Sequence, residues 1–288
     1  MRFGIKNDSL VFHKLMKPVT QFIRTSVQIR CLSYSDDSVF FNNSKEELQL
    51  KIPKILQILA DFGWKISKEK SILTPQQQIE FLEWKLDLKN NQLSMTKERR
   101  AEKLCLLEKW RRTIEKNQIV RIKLVASLIG KLNFLRTQLR RGGIYLRKLN
   151  KQKDLVSMNR GWNSRKWISK QTLGEIHWWR KTVLNNYPTH LTFKEPEAVL
   201  TTDASETQWG GTLQLIKTGQ TIRFAGIWCS NPKWKLTSSN QRELAAILLG
   251  IQSIVKNFEV GVVQSLRIQS DNSKAIFDLS RGAAAQAL

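Results

Sequence analysis

Cysteine is scarce in this chain: Cys31, Cys105 and Cys229 are the only three among 288 residues, with no CxxC pair and no Cys/His cluster. That set excludes a disulfide framework and a zinc-finger site, and it points to reduced thiols. Long hydrophobic runs are missing as well. No stretch approaches the roughly 20 apolar residues that cross a bilayer, and the N-terminus lacks the uninterrupted apolar segment of a secretory signal. The expectation is therefore an intracellular protein, cytoplasmic or nuclear, with no membrane partner. Acid is the third shortage, with 24 Asp and Glu against 48 Lys and Arg, a net charge of +24.

The excess is not spread evenly. Residues 91–190 hold 24 of the basic residues and 6 of the acids, a local charge of +18. A field of that size attracts a polyanion. Trp110, Trp162, Trp167, Trp178 and Trp179 lie in the same stretch and serve either to stack on bases or to fill a core. Nothing resembles a lipid anchor, so nucleic acid is the expected partner.

Apolar spacing predicts a helix from Phe3 to about Ile29, then two short strands meeting at Ser35-Asp36. Ser44, followed three residues on by Glu47, reads as the N-cap of a second helix that Gly63 ends. Strands are predicted at Trp64–Ile66, at Ile72-Leu73 and from Ile79 to Leu88, turning at Lys89-Asn90-Asn91. From Thr96 to about Leu149 the signal is helical, broken at Gly142-Gly143, and residues 150–195 read as a polar connector with one short helix around Gln171–Leu184. After Pro196, three strands precede a helix at Leu244–Val255, a strand at Leu266–Gln269 and a helix at Asn272–Leu279. The class is α+β in the first half and α/β in the second.

Two sets of carboxylates stand out. Asp36 and Asp37 are adjacent on the hairpin tip, where like charges raise one another's pKa unless a cation neutralises them; the alternative is an acidic turn. Asp203, Glu243 and Asp271 each fall at an element boundary, and each has a local alternative: Asp203 as a turn former, Glu243 completing a cap with Asn240, Asp271 capping its helix. Taken together they form the arrangement a two-metal phosphodiester site needs, carboxylates from separate elements meeting at one sheet edge.

These motifs coincide with a family. Phe3-Gly4-Ile5-Lys6-Asn7 with Phe12, Tyr34-Ser35-Asp36-Asp37, Gly63-Trp64 with Lys70, and Phe81-Leu82-Glu83-Trp84 occur in the order of reverse transcriptase motifs. Thr202-Asp203-Ala204-Ser205 with Trp209-Gly210-Gly211, Arg242-Glu243-Leu244 and Ser270-Asp271-Asn272 are similar to the first three acidic motifs of ribonuclease H. The chain resembles the reverse transcriptase and ribonuclease H polyprotein segment of retrotransposons, most like the tyrosine-recombinase elements and next the gypsy-type LTR elements. Where that family carries proline and glycine, this chain has Arg2 and Glu83.

The resemblance implies a partial palm over 1–95, a helical thumb over 96–150, a connector over 151–195 and a partial ribonuclease H-like domain over 196–288. It implies Mg²⁺ or Mn²⁺ held by Asp36, Asp37, Asp203, Glu243 and Asp271. It further implies that Phe3, Gly4, Tyr34, Lys70, Phe81 and Trp84 contact nucleotide or primer, with primer-template, dNTP and RNA/DNA hybrid as partners. The family's further palm carboxylate and fourth ribonuclease H ligand are not among these motifs, so truncation at both ends is expected. The competing expectation is a non-catalytic nucleic-acid-binding remnant of a decayed retroelement.

Overall fold

The helical stripe of the first segment becomes α1 (Asp8–Ser26) in the computed structural model, which describes residues 8–192, 194–228, 236–257 and 263–281. The motif residues Phe3 and Gly4 lie outside the described residues. Two compact units are present, one made of Met1–Ala101 with Pro188–Leu191, the other of Glu102–Tyr187 with Thr192–Leu288.

In the first unit α1 leads into the hairpin β1 (Arg30–Tyr34) and β2 (Asp37–Phe41), paired antiparallel with Tyr34 opposite Asp37. The Arg24 guanidinium ties the helix to the hairpin by donating to the Cys31 carbonyl at 2.6 Å and 3.2 Å. Helix α2 (Lys45–Asp61) starts where Ser44 predicts: the Ser44 hydroxyl accepts from the Glu47 N–H at 3.1 Å. The reciprocal half of the capping box goes to Asn42, which accepts from the Ser44 N–H and donates to Glu47. Gly63 ends the helix at φ +79, with Gly63 and Trp64 N–H groups returning to the Ala60 and Leu59 carbonyls, the two-bond C-cap that only a left-handed residue closes cheaply. Val19, Ile23, Val27, Ile29, Ile55 and Ile58 make the core between these elements.

The strand predicted over Ile79–Leu88 is corrected to a hairpin. β3 (Gln78–Phe81) and β4 (Trp84–Asp87) are joined by Leu82-Glu83, both at positive φ, +50 and +59. That is the geometry of a type I′ turn, which usually draws Asn-Gly, so its signal is absent from the sequence. β5 (Gln92–Met95) follows after Lys89-Asn90-Asn91, and the sheet order is β3-β4-β5-β8, closed by Thr189–His190 (β8). Trp64–Ile66 and Ile72-Leu73, predicted as strands, are irregular.

The second unit continues α3 (Lys97–Glu115) with β6 (Ile119–Arg121), α4 (Ile122–Phe134), two 3₁₀ turns at Leu135–Thr137 and Arg140–Leu146, and α5 (Arg147–Arg160). β7 (Arg165–Trp167) and α6 (Leu173–Asn185) follow. Helix α5 runs through residue 150, the expected boundary between thumb and connector. Buried Glu175 of α6 accepts from the Lys148 and Leu149 N–H groups at 2.7 Å and 3.0 Å, satisfying the first turn of α5. Burial pushes its carboxyl up, opposed by those N–H bonds. Gly142 packs so close to the Trp179 ring that a Cβ there would collide with it, which accounts for glycine at this point of the break seen in the sequence.

The last part of this unit is a sheet in the order β11-β10-β9-β12, from β9 (Ala198–Ala204), β10 (Gln208–Leu215), β11 (Thr221–Ile227) and β12 (Leu266–Gln269). β9, β10 and β11 are antiparallel and β12 runs parallel to β9. Helix α7 (Ser239–Asn257) packs on β9 and β10, and α8 (Ser273–Arg281) packs on α7. Leu200, Leu213 and Ile254 are buried between sheet and helix. Among the described residues, no helix is long and apolar enough to cross a membrane.

Candidate active site

Parallel pairing decides where two of the acids go. Ala198 pairs with Leu266 and Thr201 with Gln269, so Asp203 and Asp271 stand two residues further on, at the same end of neighbouring strands. Carboxyl ends of adjacent parallel strands are where open α/β sheets gather their ligands. Glu243, in the second turn of α7, completes the group: one carboxylate oxygen from each of Asp203, Glu243 and Asp271 lies within 4.8 Å of the others. Asp203 and Asp271 are exposed, whereas Glu243 is 3% exposed.

Each local job that could explain these acids is done by a neighbour. The turn after β9 is held by Ser205, whose hydroxyl accepts from the Thr207 and Gln208 N–H groups. The N-terminus of α7 is closed by Ser238 and Gln241: the Ser238 hydroxyl accepts from the Gln241 N–H, and Gln241 Oε1 accepts from the Thr237 and Ser238 N–H groups. Asn272, not Asp271, caps α8 by accepting from the Ala275 N–H at 2.9 Å. Asp203 accepts only the adjacent Ala204 N–H among the described bonds.

Burial and the charges of Asp271 and Asp203 hold the Glu243 carboxyl above its ordinary value of 4.5, against the hydrogen bond that the Ser270 hydroxyl donates to Glu243 Oε2 at 3.2 Å. Three carboxylates this close, one of them desolvated, suit a hard divalent cation. Ser270, which positions Glu243, carries no motif signal of its own beyond standing next to Asp271.

The Asp36–Asp37 hairpin is a different environment. Asp36 sits on the two-residue turn beside Ser35, which has φ +53, and Asp37 opens β2; both are exposed, as is Tyr34 at 65%. Among the described residues no third carboxylate joins them in a cluster. Lys70 is exposed on a loop and Phe81 half-buried at the end of β3. Trp84 is 7% exposed, and the Arg99 guanidinium covers one ring face at 4.6 Å from the centroid. Arg99 also binds Glu83 at 2.7 Å through both Nε and Nη2. Glu83 thereby holds the residue that covers Trp84, a role that the motif did not predict.

Residues 1–86 match the reverse transcriptase (RNA-dependent DNA polymerase) family. The matched segment contains the Asp36–Asp37 hairpin and ends within β4, so Asp203, Glu243 and Asp271 lie beyond it. The chain is 27% identical over 279 residues to the enzymatic polyprotein of Cauliflower mosaic virus strain D/H, covering 94% of this chain and 37% of that polyprotein. For strain CM-1841 the identity is 28% over 220 residues, 75% of this chain and 28% of the polyprotein. The chain thus spans about a third of the length of these relatives. Its fold is similar to that of the foamy viral protease-reverse transcriptase dRH in complex with ds DNA, with a TM-score of 0.50 at 17% identity over 89% of this chain and 41% of that one.

Proposed function

We propose that the chain is a segment of a retroelement RNA-directed DNA polymerase, of the tyrosine-recombinase type on its motifs, and that residues 196–288 form a ribonuclease H-like domain that cleaves the RNA strand of an RNA/DNA hybrid. The observation that carries the nuclease reading is the convergence of Asp203, Glu243 and Asp271 within 4.8 Å, with the turn and cap roles open to them filled by Ser205, Ser238, Gln241 and Asn272. The polymerase reading is supported by the family match over residues 1–86 and by the exposed hairpin within it.

In this reading Asp203, Glu243 and Asp271 hold Mg²⁺ or Mn²⁺, with Ser270 fixing the Glu243 carboxylate. Metal bound there supplies an activated water and charge stabilisation at the leaving oxygen of the phosphodiester. Asp36 and Asp37 present carboxylates for a cation at the nucleotide phosphates, exposed Tyr34 and Lys70 face nucleotide, and Phe81 and the Trp84 hairpin position the primer. The basic helices of residues 96–150 contact backbone phosphates without reading sequence, and residues 151–195 connect them to the nuclease.

The test is a paired assay on the purified chain, with a labelled RNA/DNA hybrid and a primer-template with dNTPs, each with and without Mg²⁺. RNA-strand cleavage is expected only with the cation, and Asp203→Asn is expected to lower it about 10²-fold or more, the scale of losing one group that stabilises a transition state. Any primer extension is expected to vanish in Asp36→Asn and survive in Asp203→Asn. Cleavage that persists in Asp203→Asn sinks the nuclease reading. Hybrid binding without turnover in either assay makes the chain a binding remnant instead.

A further inference from the structure

The second unit contains a ribbon for which the sequence carries no signal. β6 and β7 pair antiparallel with Ile119 opposite Trp167, Val120 opposite Lys166 and Arg121 opposite Arg165. Alternate residues of a strand share a face, so Ile119, Arg121, Arg165 and Trp167 stand together. None of them is core: Ile119 is 67% exposed, Trp167 51%, and both arginines are exposed.

This face carries two costs that the fold does not offset. Like charges directly opposite in a ribbon repel, and neither Arg121 nor Arg165 enters an ion pair among the described residues. No acid occurs from Lys116 to Val125 or from Leu155 to Gly174. The acids that flank those stretches are engaged elsewhere: Glu115 with Arg111, Asp154 with Lys153, and Glu175 with backbone N–H groups. A second cost is the indole and isoleucine pair left in water beside the two guanidinium groups.

One ligand chemistry removes both. A phosphate between two arginines neutralises their repulsion with charge-assisted hydrogen bonds, and a flat base covers an indole face. Bases in a duplex have their faces buried in the stack, so the matching form is an unpaired strand. We propose that the β6–β7 ribbon is a contact site for single-stranded nucleic acid, with Trp167 stacking on a base and Arg121 and Arg165 gripping the adjoining phosphate. It takes from the preceding reading only the class of partner and is independent of the chemistry at Asp203.

The test uses the full chain in EDTA, which keeps any metal-dependent cleavage off. Fluorescence anisotropy is measured with a labelled twelve-nucleotide oligo(dT) and with a twelve-base-pair duplex over a range of NaCl. Trp167→Ala is expected to weaken oligo(dT) binding about 10-fold, Trp167→Phe to retain most of it, and both to bind duplex within about 2-fold of the parent. Arg121→Gln with Arg165→Gln is expected to lower the slope of log affinity against log salt by roughly 1. Circular dichroism checks that the exposed substitutions leave the fold intact.

Unchanged oligo(dT) binding in Trp167→Ala, an equal loss on duplex, or an unchanged salt slope in the arginine variant overturns the proposal. So does binding to phosphatidylserine vesicles that Trp167→Ala abolishes while oligo(dT) binding persists. The parent chain separates the two readings: oligo(dT) binding that depends on Trp167 without Mg²⁺-dependent hybrid cleavage leaves the ribbon standing, and hybrid cleavage that Asp203→Asn abolishes, with oligo(dT) binding unchanged in Trp167→Ala, leaves the nuclease.

Discussion

Glu83 is in left-handed backbone at φ +59, a conformation that costs a residue with a Cβ about 1 kcal/mol and glycine nothing. Its compensation is the carboxylate bond to Arg99, but the Glu83 side chain is 63% exposed against 5% for Arg99, so solvent screening holds that pair to roughly 0–1 kcal/mol. Glu83→Gly and Glu83→Ala lose the same ion pair, while only glycine relaxes the turn. Glu83→Gly is therefore expected to be more stable than Glu83→Ala by about 1 kcal/mol, read as a difference in urea midpoint. Equal midpoints would mean that the turn is not strained. Residues of this kind also mark the limit of what was legible. Asp203, Glu243 and Asp271 could be picked out by type and position, yet each had a local alternative. Only the hydrogen bonds of Ser205, Gln241 and Asn272 remove those alternatives.

At the level of elements, the contact of Gly142 with α6 makes the sharpest demand on packing. A Cβ at Gly142 would stand 2.6 Å from Trp179 Cζ2, and the indole cannot retreat: it is 0% exposed and its N–H donates to the Tyr145 carbonyl at 2.9 Å. Gly142→Ala is expected to cost about 1–3 kcal/mol by overpacking. Gly174→Ala, at the start of α6 with open space around it, is expected to be neutral or stabilising by about 0.4–1 kcal/mol. The thermal melt should fall for Gly142→Ala and hold or rise for Gly174→Ala; a parallel loss would mean that helix geometry, not the Trp179 contact, sets the cost. The same contrast between local and distant causes separates what could be read from what could not. Helix α2 was legible because Ser44 and Gly63 act within a turn of themselves, and the strand Leu266–Gln269 because its flanks are short and polar. β6 and β7 are three residues each, far apart in the chain and held by one another, so no local signal announces them. The predicted strand Ile79–Leu88 ran through a turn made of Leu82-Glu83, residues that rarely form one.

On the scale of the whole molecule, the two carboxylate sets fall in different compact units, Asp36 and Asp37 in one and Asp203, Glu243 and Asp271 in the other. A ligand that binds only the folded state stabilises its own unit, by about 2.7 kcal/mol at a hundred times its Kd. The Glu243 carboxyl is held above 4.5, mainly by burial and then by its acidic neighbours, so the fold favours its protonated form. That contribution is present at acid pH and is lost as pH rises through the raised pKa. At neutral pH without metal, Glu243→Gln is expected to melt higher than the parent by roughly 2–4 °C, the shift that about 1 kcal/mol produces in a unit of this size. Millimolar Mg²⁺ should reverse the order. It raises one calorimetric transition of the parent, the one belonging to the unit with three carboxylates, and leaves that of Glu243→Gln in place. The other transition should not respond, since two exposed carboxylates without a third hold the ion weakly. A Mg²⁺ shift that survives in Glu243→Gln, or one that moves both transitions together, would place the cation somewhere other than the end of β9 and β12.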